Sequence, residues 1–391
     1  MKFVKTLSAA AVSAALLGAT AASAADVTLY GIVDEGLIFN HTRTTDVDKT
    51  SSTNSFSERS GLLAPSRWGM RGVEELGNGL KVGFKLESGF NADTGTLGQN
   101  NRLFGRESMI YLSGDFGKLA AGRMGGVGSS AGTFDLVYGI ADVSDGGWDN
   151  MAGQFYTSRY DNMLTYQTPK FAGLQATVQY GFKTDSTDTT TDGDEGTAKA
   201  TRYYSGALTY EVGNFQAVAA YEYVNLGNDS ASLTAKTTRR NYQLAHLGGN
   251  YDFGFTKVFG LVQYGDGASA IAGFDLKSVK KALGKAEGAA AQFDGFKGWG
   301  AELGAATPVC GGSLLTALFY SDFETQSVFV DGAKAKDVDG KFYGVNVQYN
   351  YPLSKRTHVY VGAAYSQSKL EGDVKQKSES SQCYAGLAHF F

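Results

Sequence analysis

The chain has 391 residues, 35 basic and 39 acidic, with a net charge of −4, 52 glycines, 4 prolines and 13% aromatics. So much glycine and aromatic side chain with so little proline suits many strands joined by tight turns and disfavours helix bundles, which draw on Ala, Leu, Glu and Lys. Setting aside the two leader lysines described next leaves 33 basic against 39 acidic residues, about −6, a balance that gives no support to nucleic acid as a partner.

Residues 1–24 read as an export signal: Lys2 and Lys5, an apolar run from Leu7 to Ala19, then Ala22-Ser23-Ala24 for cleavage after Ala24 or Ala25. The rest, 25–391, reads as one domain. No later stretch approaches the roughly 18 continuous apolar residues of a transmembrane helix, so any insertion into a bilayer is by strands. Sixteen strand-like segments follow in chain order, near 27–40, 66–76, 80–91, 103–114, 118–125, 157–168, 173–183, 200–211, 214–225, 238–252, 256–265, 297–308, 312–323, 340–352, 356–367 and 380–391. Short turns such as Gly77-Asn78-Gly79, Gly213-Asn214 and Cys310-Gly311-Gly312 alternate with long polar connections at 41–65, 92–102, 126–156, 184–199, 226–237, 266–296, 324–339 and 368–379. Within the sixth connection, Asp275 to Ala291 has the composition of a short helix on the rim.

The period of 2 assigns faces. In the third segment Leu80, Val82, Phe84 and Leu86 fall on one side and Lys81, Gly83, Lys85 and Glu87 on the other, apolar toward lipid and polar toward a wet lumen. An export signal, an even strand count and an alternating strand that ends on Phe390-Phe391 together read as an all-β, 16-stranded antiparallel transmembrane β-barrel. Cys310 and Cys383 fall at a turn and in the last strand, too far apart for a bridge, and no Cys or His spacing suggests a metal.

Several stretches then resemble the trimeric general-diffusion porins of β-proteobacteria: Val27 to Asp34, the run Ser66-Arg67-Trp68-Gly69-Met70-Arg71-Gly72-Val73-Glu74-Glu75-Leu76-Gly77, Leu86 to Phe90, Leu112 to Gly117, Ala121-Gly122-Arg123 and Gly386 to Phe391. The resemblance implies an outer-membrane homotrimer among lipid and lipopolysaccharide, inserted by the barrel-assembly machinery, with a third external loop, here 126–156, folded into each pore. It also implies that the closing residues, His389 and Phe391 among them, are an assembly signal. No cofactor is implied.

A water-filled pore discriminates by its diameter and by the charges at its narrowest point. The third loop offers Asp135, Asp142, Asp145 and Asp149 and no Lys or Arg. By the period of 2, Arg67, Arg71, Lys85 and Arg159 point inward, on the wall that the resemblance sets opposite this loop; Arg67 and Arg159 also match pore positions of the family. Arg106 is followed by Glu107, which takes the inward parity, and Arg123 points outward unless a bulge re-aims it. Asp34 points inward, while Glu35 falls on the outer face, where a subunit interface suits a carboxylate better than lipid. The function expected is passive diffusion of small hydrophilic solutes and ions. Alternatives are a substrate-specific channel, a barrel hydrolase or an adhesin. The hydrolase finds no Ser or Asp arrangement around His41, His246, His358 or His389.

Overall fold

The structure is a computed structural model that describes residues 26–46, 49–130, 132–143, 154–184, 195–196, 200–227, 241–286 and 288–391. The leader lies outside the described residues. Sixteen antiparallel strands form the wall: β1 (Asp26–Asp46), β2 (Arg67–Gly77), β3 (Leu80–Asn91), β4 (Glu107–Gly114), β5 (Gly117–Gly125), β6 (Arg159–Gln167), β7 (Leu174–Gly181) and β8 (Arg202–Val212) make the first half. The second half is β9 (Phe215–Asn225), β10 (Tyr242–Asp252), β11 (Lys257–Ala268), β12 (Phe296–Val309), β13 (Gly312–Thr325), β14 (Asp339–Pro352), β15 (Thr357–Glu371) and β16 (Lys375–Phe390). Each pairs with the next, and β16 returns to β1 from Ile32 opposite Phe390 to Asp46 opposite Gln376, closing the sheet. Closure leaves no wall edge with unpaired N–H and C=O groups, which is what a strand in lipid requires.

Every strand anticipated from the sequence is present. The turn chemistry explains the registers: Asn78 takes a positive φ between Gly77 and Gly79, which do the same, and Cys310 takes one beside Gly311, which also does. The outer face is apolar, with Leu29, Leu208, Leu247, Val262, Leu303 and Leu318 all more than half exposed. Among the described residues no helix is long and apolar enough to cross a membrane.

Three features depart from the expected outline. The first connection is largely strand: β1 runs on to Asp46 and the chain returns along it through Lys49–Ser60, so β1 pairs with β2 below Glu35 and with its own return above. Where the partner changes, the segment 61–66 turns into the lumen. Asp34 holds it there, its Oδ2 accepting from the N–H groups of Leu63 and Ala64 at 2.7 Å each while Tyr360 OH donates to Oδ1 at 2.6 Å. Leu62 is buried among Ile38, Tyr360, Tyr384 and Ala388 of the inner wall.

The second departure is that the lumen is not polar throughout. At the long-loop end Phe296, Phe319, Phe323 and Phe342 turn inward and pack with Phe274, Leu276, Val279 and Phe293 of the sixth connection. The strands there are apolar on both faces because a folded-in loop covers the inner one. The anticipated rim helix is the Leu276–Ala282 segment, capped by Asp275, whose Oδ1 accepts from Ser278 N–H; its apolar side faces the wall. Third, a bulge interrupts the β5–β6 ladder between Gly122 and Met124. Gly122 sits at φ +135°, where a Cβ would collide with the Ser108 carbonyl oxygen.

Candidate functional site at the lumen constriction

The third connection leaves β5 at Gly125 and crosses the lumen before rejoining the wall at β6. Its short helix, α1 (Tyr138–Ala141), packs Val137, Tyr138 and Ala141 on Ala207, Val218, Ala220 and Leu261 of β8, β9 and β11. Phe134 is buried against Met109, Met124 and Met163. Apolar side chains on the loop thus find an apolar patch on the inner wall, which is why a polar-looking connection folds inward.

The loop's near side is tied to β3 and β4. Glu107 is fully buried and accepts from Thr133 N–H at 2.7 Å and from Thr133 Oγ1 at 3.2 Å. Lys85 pairs with Glu107 and lies 3.7 Å from Glu87 Oε2. Arg106 Nε donates to Glu87 Oε1 at 2.6 Å, and Tyr30 OH donates to Glu87 Oε2 at 2.9 Å. These pairs form because inward positions of three neighbouring strands meet at one level: Gly69 stands opposite Glu87, which in turn stands opposite Glu107.

Between loop and wall lie two adjoining cavities. The larger, about 440 Å³, is lined by Arg67, Arg106 and Arg159, by Asp135 of the loop, by Leu63 to Pro65 of the first connection, and by Asn350, His358 and Phe390 across the lumen. The second, about 390 Å³, shares Arg67, Arg106 and Phe390 and adds Lys85, Glu87 and Tyr30. Arg159 Nε is buried without a hydrogen-bond partner among the described residues, a donor left over at the cavity wall. Arg71 points into the lumen over the Tyr30 ring, 5.3 Å from its centroid.

Some anticipated members sit elsewhere. Arg123, at the bulge, donates from Nε to the Gly105 carbonyl and from Nη1 to Asp161, a carboxylate it shares with Arg102; it does not line either cavity. Asp142 is buried, its N–H donating to the Tyr138 carbonyl as α1 ends. Asp145 and Asp149 fall outside the described residues. Glu107, anticipated as a lumen charge, holds the loop instead of facing open water. The reading missed Glu87 as a site residue although its inward parity was legible. It missed Leu63 to Pro65 and His358 because nothing local marks them as lumen neighbours of Arg67.

At the other closure of the wall, Gly31 and Phe391 exchange both backbone N–H···O bonds, at 3.1 and 3.0 Å. Phe390 faces the cavity and Phe391 lies on the outer face, over a glycine that leaves room for its ring. His389 is also outward, its Nδ1 3.0 Å from Thr357 Oγ1.

Among the described residues no His, Cys, Asp and Glu cluster has the arrangement of a metal site. The chain is similar to an outer membrane porin protein of Bordetella pertussis, 32% identical over 99% of this chain and all of that one. Outer membrane porin protein 32 of Delftia acidovorans is 30% identical over 93% of this chain and 90% of that one. The fold is similar to that of an anion-selective porin from Comamonas acidovorans, with a TM-score of 0.63, 23% identity and coverage of 94% of this chain and 100% of that one. The family model for Gram-negative porins matches residues 8–370, and with sixteen strands closed around a charged constriction the chain belongs to that family, as an integral β-barrel of the outer membrane.

Proposed function

We propose that the protein is a general porin, passing small hydrophilic solutes and ions down their gradients without cofactor or energy coupling, and that it has no catalytic role. The observation that carries this is the constriction itself: a cavity of about 440 Å³ between loop and wall, with Arg67, Arg106 and Arg159 on one side and Asp135 on the other. Acid facing base across a low-dielectric gap sets up a transverse field, which orders water and penalises large apolar solutes. Lys85 and Arg106 are matched by Glu107 and Glu87, so Arg67 and Arg159 set the balance against Asp135 and give a weak anion preference. Arg71 adds to it from farther along the lumen.

The same reading makes residues 1–24 a cleaved leader, His389 and Phe391 an assembly signal for the barrel-assembly machinery, and the working unit a homotrimer embedded in lipid and lipopolysaccharide. Glu35 has the outward parity of Val33 and Leu37, but both its carboxylate oxygens are covered within the chain, near Glu58 and Asp93, so the homotrimer rests on the family alone. Planar bilayers test the proposal. Large conductance steps in threes, with a small reversal potential of anionic sign under a potassium chloride gradient, are expected. Small steps blocked by one solute point instead to a substrate-specific channel.

A further inference from the structure

The far side of the constriction loop is held by a buried polar relay that the conduction path does not touch. Glu222 of β9 is fully buried; its Oε2 accepts from Thr157 Oγ1 at 2.6 Å and from Tyr203 OH at 2.5 Å. His246 Nε2 of β10 lies 2.8 Å from Glu222 Oε1, and His246 Nδ1 lies 3.0 Å from Gln263 Nε2 of β11. Gln263 grips the loop at both ends of its fold-back: Nε2 donates to Tyr138 OH at 2.7 Å, while Oε1 accepts from Phe155 N–H at 3.3 Å. Gly128, where the loop departs, lies against Glu222 and His246, and only a residue without a side chain fits.

Proton accounting fixes the imidazole. Phe155 N–H must face Gln263 Oε1 and the Phe155 carbonyl faces Nε2, so the amide cannot be turned over without setting donor against donor. Tyr138 OH donates to the Phe155 carbonyl at 2.9 Å, so the two amide protons of Gln263 go to Tyr138 Oη and His246 Nδ1, and the imidazole Nε2–H donates to Glu222. A second proton on the ring would point Nδ1–H at the amide nitrogen. Gln263 would then have to release either the imidazole or the loop.

We propose that Glu222, His246 and Gln263 are a latch that positions the constriction loop, and that the latch holds only while His246 is neutral. This rests on the porin reading above. The other titratable groups that face the pair are Tyr203 of β8, Tyr242 of β10, Tyr160 of β6, Tyr138 of the loop and Glu302 of β12. Tyrosines stay neutral across the acid range, and among the described residues no lysine or arginine hydrogen-bonds to Glu222 or His246.

The test is single-channel recording of the full trimer in planar bilayers as pH is lowered, with heat-resistant trimer on gels confirming assembly. The wild type should show brief closures that become about tenfold more frequent, reversibly, as pH is lowered from neutral into the acid range. H246Q keeps a donor to Glu222 and has nothing to titrate, so acid should leave its closure rate unchanged. Q263M cuts the relay from the loop and should close frequently at every pH. H41Q, beside Asn54 on the extension of β1 and away from both cavities, should keep the wild-type acid response. Acid closures persisting in H246Q, a pH-independent wild type, or a Q263M channel as steady as wild type would each overturn the latch. A wild-type protein that forms no channel would overturn the porin reading instead.

Discussion

At the scale of single residues, two carboxylates on adjacent strands do different work with the same chemistry. Glu87 accepts from Arg106 and Tyr30 and fixes the basic wall, whereas Glu107 accepts from Thr133 and fixes the loop. Glu107→Ala removes both acceptors for Thr133 and takes from Lys85 the nearer of its two carboxylates, a loss of about 2–4 kcal/mol. We expect noisier conductance and a lower melting temperature of the trimer, with Glu107→Gln, which keeps an acceptor, between the two. Arg67→Ala with Arg159→Ala should move the reversal potential toward cations, because Asp135 then dominates the cavity; unchanged selectivity would contradict the assignment. The inward parity of Arg67, Arg71, Lys85 and Glu107 was legible because the strands around them run without interruption. Arg123 was not, since one bulged residue breaks the alternation on which parity depends.

At the scale of elements, the lumen is shaped by three connections, not one. The third crosses it, the first contributes Leu63 to Pro65 under the control of Asp34, and the sixth packs its helix into the long-loop end. Asp34→Ala strips acceptors from two backbone N–H groups and from Tyr360, costing about 1–3 kcal/mol, and should raise conductance as the segment leaves the cavity. Val279→Asp puts a charge into the apolar cluster beneath the rim helix. The barrel should still assemble, but sugars too large for the wild type should enter faster in liposome swelling. The rim helix itself was readable from composition; its burial was not, because the phenylalanines that receive it come from β12 to β14.

At the scale of the whole molecule, stability rests on closure and on the apolar outer face. Removing Phe391 takes away its exchange of backbone bonds with Gly31 and the ring that covers that residue, and should lower the yield of heat-resistant trimer in the outer membrane. Leu303→Arg places a charge on the outward face of β12, more than half exposed in the isolated chain. If lipid covers it, the substitution costs about 2–4 kcal/mol near the midplane, measurable as a lower unfolding midpoint in vesicles.

The sequence by itself determined the barrel: strand number, short turns, long connections and the direction of most charges follow from alternation and turn residues, which are local and repeat along the chain. The tertiary structure alone decided what fills the lumen. Asp34 meets Tyr360, and Gly128 meets Glu222 and His246, only after the wall has closed. No local period encodes pairs so far apart in sequence, and a carboxylate written as a lumen charge becomes a latch or a pore wall according to which loop descends upon it.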